Sequence, residues 1–308
     1  MNGTSAPATA QPAEFRAAGT DLSERRRSGV SRGPLADLVR PSGAPDIAWD
    51  AGGAARISAF ASIAAIAADP KLGAAYPGLT AAAAGLATPQ IRHVATLGGN
   101  LAQRSRCWYY RDPQIACLKK GGSLCPARAG NHLYGIAFDL GPCVAPHLST
   151  LAAALMAHDA TVTTNLRQRL TMNEVLGDGS NGSVDHALAP GEIIESIELG
   201  IPVADERALY RRAISRSDAE WPLVEVVVRA VIAEGAFQLI RIVAGGIAPV
   251  PLRLRAAESA AQGAAVNAAT IAGAVAQSTL GARPLAMTGY KLDLLQGLVH
   301  DLLEKISA

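Results

Sequence analysis

The chain has 308 residues and a mass of 31.7 kDa, a length that suggests about two domains, each with its own core. Its formal net charge of +2, from 28 basic and 26 acidic residues, creates no overall field that would attract nucleic acid or an anionic membrane. The longest nearly apolar stretch, residues 57 to 68, is shorter than the roughly 18 residues of a membrane span, and the first 13 residues do not resemble a secretory signal.

The first half of the chain predicts short strands that alternate with helices of small residues. In chain order the predicted segments are a disordered tail at 1 to 14, a strand from Phe15 that turns at 18 to 20, a solvated loop at 23 to 32, a strand from Arg56 that leads into a helix capped by Ser62, a helix at 79 to 86, a glycine turn at 95 to 101, a helix at 151 to 157 and a strand at 160 to 165.

A second unit is expected after Leu188, where a Pro-Gly turn leads into a strand with alternating apolar and polar positions at 194 to 198. Further strands are predicted at 223 to 232 and 237 to 243, and helices at 256 to 276 and 289 to 306. Strands followed by helices indicate an α+β arrangement.

Two glycine turns, at Ala18 to Thr20 and at Gly98 to Asn100, could hold a phosphate group. Turns of this kind leave main-chain N–H groups open to a close approach by an anion, and Thr20, Thr96 and Asn100 add polar side chains. Neither turn is a Rossmann fingerprint or a P-loop, and each alone is also typical of an ordinary turn.

The four cysteines, Cys107, Cys117, Cys125 and Cys143, all lie in one short segment of the chain. This grouping favours an iron-sulfur cluster, because a structural zinc site usually has a Cys-x-x-Cys pair and a disulfide framework usually accompanies a secretory signal. Zinc, disulfide and unligated cysteines remain alternatives at this stage. Basic residues in the same segment are expected to offset the charge of a cluster, and they are Arg104, Arg106, Arg111, Lys119, Lys120 and Arg128.

Other residues near the cysteines have simpler interpretations. Trp108, Tyr109 and Tyr110 are expected to form an aromatic cover over the cluster rather than a nucleic-acid platform, and His147 is expected to be structural or close to a cofactor. The sequence contains no evident Ser-His-Asp set, HExxH helix or pair of catalytic carboxylates. Redox chemistry carried by a cofactor is therefore the favoured activity.

Six motifs in order resemble the flavin subunit of the xanthine dehydrogenase and aldehyde oxidoreductase family, from about residue 15 to the C-terminus. They are A-A-G-T-D-L (17 to 22), R-I-S-A (56 to 59), I-R-H-V-A-T-L-G-G-N-L (91 to 101), L-A-P-G-E-I-I (188 to 194), Y-R-R-A-I-S-R (210 to 216) and G-G-I-A-P-V-P-L-R (245 to 253). The cysteine segment resembles the subgroup that carries a 4Fe-4S cluster, which includes periplasmic aldehyde oxidoreductases.

The resemblance implies a two-part FAD-binding domain of the vanillyl-alcohol-oxidase type at 15 to 185, with an iron-sulfur insertion at about 104 to 147, and a smaller domain with an antiparallel sheet and helices at 190 to 308. By resemblance, the FAD-binding residues would be Ala17, Ala18, Gly19, Thr20, Asp21, Leu22, Thr96, Leu97, Gly98, Gly99, Asn100, Ile193 and Arg212. The 4Fe-4S ligands would be Cys107, Cys117, Cys125 and Cys143. The chain has Ala18 where the family has a glycine, and Thr150 where many members have an aspartate that touches the flavin.

The resemblance implies an electron-transfer subunit rather than a complete enzyme. Its expected partners are a molybdenum-cofactor catalytic subunit, a 2Fe-2S subunit and an external electron acceptor, in a heterotrimer. Without an export signal the expected compartment is the cytoplasm, or the periplasm if an exported partner carries the folded chain. The alternatives are a zinc-stapled binding module without redox activity and a stand-alone flavin oxidase.

Overall fold

The computed structural model describes residues 13 to 308, whose strands form three sheets. The strands are β1 (Glu14–Arg16), β2 (Leu35–Asp37), β3 (Ile47–Trp49), β4 (Ala55–Ser58), β5 (Thr161–Thr164), β6 (Leu170–Thr171), β7 (Ile194–Leu199), β8 (Glu206–Ala213), β9 (Val224–Ala233), β10 (Ala236–Gly245) and β11 (Leu252–Arg253). The small sheet pairs β1 and β2 in parallel, a five-stranded sheet has the order β3-β4-β7-β5-β6, and a four-stranded sheet has the order β11-β10-β9-β8.

Helices separate and cover these sheets. They are α1 (Leu22–Arg27), α2 (Ile63–Ala68), α3 (Pro70–Ala75), α4 (Pro77–Ala84), α5 (Pro89–Val94), α6 (Leu97–Leu101), α7 (Trp108–Arg111), α8 (Thr150–Ala157), α9 (Met172–Leu176), α10 (Arg255–Ala261), α11 (Ala268–Gln277) and α12 (Tyr290–Ser307). The predicted α+β fold is confirmed, with a two-part first domain and a second domain of antiparallel sheet and helices.

Helix α8 lies at the centre of the molecule, and all of its residues are buried. It contacts α4 and α6 as well as strands β9 and β10 of the four-stranded sheet. Leu151 and Leu155 are fully buried, and burial of a leucine side chain stabilises a fold by roughly 1.5 to 3 kcal/mol. The alanines of α8 allow its neighbours to pack closely, so this small-residue helix is a contact surface for both halves of the protein.

The two faces of the four-stranded sheet belong to different cores. On β9, Val224, Val226 and Val228 pack into the core that contains α10, α11 and α12, whereas Val227 packs into the core that contains α4 and α8. This is the period of two that a strand imposes on its side chains. Glu225 and Arg229 share the face of Val227 and therefore point towards the first domain.

Several sequence predictions are confirmed by the element bounds. Ser62 caps α2 by accepting a hydrogen bond from the Ala65 N–H at 3.1 Å, as its position before the apolar run predicts. Helices α4, α8 and α12 and strands β4, β5, β9 and β10 lie at the predicted positions within a few residues.

Other predictions were wrong, each for a local reason. Residues 23 to 32 are not all loop, because α1 begins at Leu22, where Arg25 pairs with Asp21 one turn away at 3.1 Å. The glycine turn at 95 to 101 is instead the short helix α6, which Thr96 caps. The predicted helix at 256 to 276 is split at Gly263, which has a φ of +77°.

The strand that the sequence predicts at 194 to 198 is expected in the second unit, but it lies in the sheet of the first. Strand β7 pairs with β4 and β5, with Ile197 opposite both Ile57 and Val162, and so completes the first domain's sheet. The alternating pattern of β7 would suit either of the two larger sheets, so the sequence alone could not identify the strands with which β7 pairs. The sequence does not predict strand β8, because its many polar residues mask the alternation of apolar and polar positions that indicates a strand. The predicted tail at 1 to 14 lies mostly outside the described residues, but Glu14 belongs to β1.

Within residues 13 to 308, none of the helices combines the length and apolar character needed to cross a bilayer.

Candidate functional site

Asp21 is the centre of an arginine cluster that holds the first predicted phosphate turn. Its carboxylate contacts the guanidinium groups of Arg111 at 2.7 Å, Arg106 at 3.0 Å and Arg25 at 3.1 Å. It also accepts a hydrogen bond from the Arg104 N–H at 3.1 Å. Burial opposes ionisation of this carboxyl group, but the charges of Arg106 and Arg111 outweigh burial and lower its pKa. Asp21 therefore stays ionised and ties the turn to the segment that follows α6.

The turn before Asp21 has the properties of an anion site. Gly19 has a φ of +75°, a conformation that favours glycine and that brings successive N–H groups to one side of the chain. Within residues 13 to 308, the N–H groups of Ala18, Gly19 and Thr20 donate no main-chain hydrogen bond. Arg106, close by, has a buried Nε atom without a partner among the described residues. The three main-chain N–H groups and the Arg106 Nε are therefore neighbouring hydrogen-bond donors without a partner among the described residues. Ala17 and Leu22 flank them, and Leu22 is buried.

The second predicted phosphate turn is built differently. The N–H groups of Leu97 and Gly98 donate to the carbonyls of Ala61 and Ala59, and the N–H of Gly99 donates to the Thr96 hydroxyl at 3.2 Å. The prediction of open N–H groups at 98 to 100 is therefore wrong, since the Asn100 N–H also donates, to the Thr96 carbonyl.

The residues of this second turn instead hold neighbouring elements together. A Cβ atom on Gly98 would lie 2.9 Å from the Cβ of Ala59, so a glycine is needed at this position for close packing against Ala59. The Asn100 Oδ1 accepts a hydrogen bond from Ser149 at 2.6 Å, which fixes α6 against the start of α8.

The four cysteines of this segment line one small cavity. Its wall also includes Tyr109, Tyr110 and Lys119. The short helix α7 begins directly after Cys107, and two 3₁₀ turns begin directly after Cys117 and Cys125. Gly122 closes the turn after Cys117, where a Cβ would lie 2.9 Å from the Cys117 nitrogen. The structure therefore brings the four cysteines to one cavity, and their predicted role as ligands stays a prediction.

Main-chain N–H groups point at the sulfur atoms of three of these cysteines. Cys107 receives them from Tyr109 and Tyr110, Cys125 from Ala127, Arg128 and Val144, and Cys143 from Ala145. The neighbouring thiol of Cys143 and these N–H groups lower the pKa of Cys125. Hydrogen bonds to sulfur stabilise thiolates and tune clusters that thiolates bind.

The basic residues of this segment do not all face the cysteines, contrary to the prediction. Arg106 and Arg111 pair with Asp21 and Glu24, and Lys120 donates to main-chain carbonyls. Lys119 and Arg128 do act on the cysteine sulfurs through their charges. The predicted aromatic cover is also partly wrong, because Trp108 is 57% exposed and stacks edge-to-face on Tyr134.

An aromatic cleft of about 280 Å³ adjoins the cysteine cavity. Its walls include Trp108, Tyr109, Tyr134 and Trp221, and the buried Lys291 lies at its surface. The cleft shares Ser105, Cys107, Tyr109 and Ala145 with the cysteine cavity. Arg106 lies 4.9 Å from the ring of Trp221 and so links this cleft to the first turn. A cleft with aromatic walls and a few polar groups suits a planar ligand.

Comparison with known proteins shows to which family this site belongs. Residues 8 to 203 match the family described as the FAD binding domain in molybdopterin dehydrogenase, and residues 209 to 306 match the CO dehydrogenase flavoprotein C-terminal domain. The chain belongs to the family of FAD-binding subunits of molybdenum hydroxylases. It is similar to the aldehyde oxidoreductase FAD-binding subunit PaoB of Escherichia coli (strain K12), with 30% identity over 80% of this chain and 78% of that one.

Solved structures share the fold of this flavin subunit. Quinoline 2-oxidoreductase from Pseudomonas putida 86 has a TM-score of 0.72 at 17% identity, over 96% of this chain and 89% of that chain. Reconstituted CO dehydrogenase from Oligotropha carboxidovorans has a TM-score of 0.73 at 17% identity, over 96% and 90%. At these identities the likeness concerns the fold.

A buried carboxylate in the flavin subunit was missed by sequence reasoning. Glu225 is fully buried on β9, where its Oε2 accepts hydrogen bonds from Thr150 at 2.7 Å and Tyr210 at 2.9 Å. Its Oε1 has no partner among the described residues, and burial raises the pKa of Glu225 to about 7. Arg212 lies opposite Glu225 on β8 and also donates to the Asp218 and Glu220 carbonyls near the cleft. The sequence feature that could have identified this carboxylate is a single acidic residue within a run of valines.

Ile193, the other residue expected near the flavin ring, lies in a loop held by polar contacts. Its N–H donates to the Asn165 side chain at 2.8 Å, and its carbonyl accepts from the Asn165 N–H at 3.0 Å. Beside it, Glu192 accepts from Arg167 at 2.8 Å and from Thr164 at 2.7 Å. The hydrogen bond from Arg167 is the main reason why the pKa of Glu192 is lowered to about 2. Ile193 does not line the aromatic cleft.

The Glu192 pair predicts an acid-dependent loss of stability in the flavin subunit. A carboxyl group whose pKa is depressed in the folded state stabilises the fold above its unfolded pKa and loses this effect as the pH falls from about 4.5 towards 2. We expect Arg167→Met to lower the free energy of unfolding modestly at pH 7, because Glu192 loses its charged partner, and by much less at pH 2, where Glu192 is largely protonated in the variant. Urea unfolding at both pH values measures this. The exposed Arg255→Met is the control, and an equal loss at pH 2 and pH 7 would contradict the prediction.

Proposed function

We propose that this chain is the electron-transfer flavin subunit of a molybdenum-dependent aldehyde or heteroaromatic oxidoreductase. It receives electrons from a 2Fe-2S subunit and passes them through FAD to an external acceptor, while a separate molybdenum-cofactor subunit oxidises the substrate. The observation that carries the proposal is the family match over both parts of the chain. The name of the similar Escherichia coli protein supports the aldehyde class.

For FAD, the first turn is the better supported of the two phosphate sites. Ala17 to Leu22 would bind the pyrophosphate through the open N–H groups of Ala18, Gly19 and Thr20, with Arg106 as an additional donor. Thr96 to Asn100 would support the cofactor from α6. Bound FAD supplies a site that accepts electrons singly and releases them in pairs.

We further propose that the flavin ring lies in the aromatic cleft. Arg212 would shape this site through the 218 to 220 carbonyls that it holds, whereas Ile193 lies outside the wall of the cleft and would contact FAD from the loop at 187 to 193. Trp221 and Tyr134 would exclude water from the ring faces. The link from the first turn through Arg106 to Trp221 supports a single extended ligand across both regions.

The cysteine cavity is proposed to hold a 4Fe-4S cluster through Cys107, Cys117, Cys125 and Cys143. Within residues 13 to 308, no group of three or more Cys, His, Asp or Glu side chains lies in an arrangement that could hold a metal ion without adjustment. Four thiolates bind Zn²⁺ at about 2.3 Å each, so they must lie close together, whereas a cluster spreads its ligands around a larger core. The shared cavity and the N–H groups directed at sulfur support a role of these thiolates as ligands, and metal analysis distinguishes a cluster from zinc.

Domain limits and partners belong to the same proposal. The FAD-binding domain would run from 15 to about 185 and receive β7 as a returning strand, and the remainder would form the second domain. A heterotrimer with the molybdenum and 2Fe-2S subunits is expected, either in the cytoplasm or in the periplasm after export with a partner.

An absorbance spectrum of the anaerobically purified chain tests both cofactors. We expect flavin bands near ~450 nm and a broad sulfur-to-iron shoulder, together with about four irons per chain by metal analysis. Zinc without iron or flavin would instead favour a zinc-stapled module. Reduction of the flavin by a small organic substrate in the single chain would favour a stand-alone oxidase and contradict the proposed role.

A further inference from the structure

Lys291 is a buried lysine at the surface of the aromatic cleft. Its side chain lies in the first turn of α12 and is 1% exposed. Its Nζ donates to the carbonyl of Gly246 at 2.7 Å and approaches the carbonyl of Tyr134 at 3.4 Å. An ammonium group has three N–H donors, so one remains for a ligand in the cleft.

The charge of Lys291 has no acidic partner among the described residues. Arg106 in the same cleft pairs with Asp21 and Glu24, and Arg216 pairs with Glu220 at 3.8 Å, but Lys291 has only neutral carbonyls. Burial accordingly lowers the pKa of Lys291 to about 7. The first turn of a helix is also an unfavourable place for a cation, because the helix dipole is positive there.

A buried cation in a cleft with aromatic walls calls for an electron-rich planar ligand. A reduced flavin ring carries negative charge on its pyrimidine part, and a nearby cation favours that state over the neutral oxidised ring. Lys291 lines the cleft from the second domain, and Arg106 of the arginine cluster lines it from the first.

We propose that Lys291 sets the reduction potential of the bound flavin by stabilising its reduced, anionic form. This inference rests on the proposed function, because it requires FAD in the aromatic cleft. It assigns to α12 an electrostatic role in addition to its packing against β8 and β9.

The test compares the midpoint potential of FAD in the full chain with that of Lys291→Met. We expect the reduced state to be destabilised about 30-fold in the variant, which corresponds to a two-electron potential about 45 mV lower. Affinity for oxidised FAD should change less than about threefold, because the oxidised ring is neutral. Lys291→Arg should keep a potential close to the wild type, since it keeps the charge.

Lys305→Met, at the other end of α12, is the matched control and should leave the potential unchanged, because Lys305 is exposed and pairs with Asp301. If Lys291→Met does not fold, Lys291→Gln gives the same comparison. Equal potentials in wild type and the neutral variant, or an equal drop in Lys291→Arg, would overturn this inference alone. Failure of the wild-type chain to bind FAD would overturn it together with the proposed function.

Discussion

Replacement of Cys143 by serine is expected to lower the iron content from about four per chain to below about one and to remove the broad absorbance of the cluster. Cys143 is buried in the cavity that all four cysteines line, and it neighbours Cys125. A serine hydroxyl is a poor replacement for a thiolate ligand. Iron analysis and the anaerobic absorbance spectrum measure the loss.

Ala145→Ser is the matched control for this variant. It adds a hydroxyl group to the wall of the same cavity and keeps all four thiols, so iron should remain near the wild-type level. Thermal unfolding of both variants separates a lost ligand from a lost fold. Wild-type iron content in a folded Cys143→Ser protein would contradict the cluster assignment, as would zinc in place of iron in the wild type.

Asp21→Asn is expected to weaken FAD binding by about tenfold or more and to lower the free energy of unfolding by about 3 kcal/mol. The substitution leaves Arg25, Arg106 and Arg111 without their shared carboxylate, and the exposed fraction of the Asp21 side chain is only 13%. It also weakens the contact from the Arg104 N–H that holds the first turn against the segment after α6. Calorimetric FAD titration and urea unfolding measure the two effects.

Asp37→Asn provides the comparison, because Asp37 pairs with Arg16 at the surface, with 59% of its side chain exposed. Surface ion pairs contribute little, so FAD affinity and stability should both stay close to the wild type. A folded Asp21→Asn protein with unchanged FAD affinity would show that the first turn does not bind the pyrophosphate.

Local patterns were sufficient to predict much of the fold. Ser62 before an apolar run predicts the cap of α2, and the valines of β9 predict a buried strand. The errors arise where one local pattern fits two tertiary settings. Strand β7 alternates equally well for either sheet, and only its pairing with Ile57 and Val162 decides between them.

The site was predictable where chemistry depends on residue type and not where it depends on distant neighbours. Four cysteines in one segment indicate a shared centre, and they do line one cavity. The partners of Arg106 and Arg111 are Asp21 and Glu24, which lie more than 80 residues away, so sequence could not assign them. Lys291 is similar, because nothing in its helix distinguishes it from a surface lysine until the fold places it beside Gly246.

The burial of every residue of helix α8 has a mechanical consequence. Because the helix contacts β9 and β10 on one side and α4 and α6 on another, neither half of the chain can rock against the other without opening a gap in densely packed alanines. A protein that docks on this chain would therefore meet a stiff body, and association would cost little conformational entropy beyond the ordering of surface side chains.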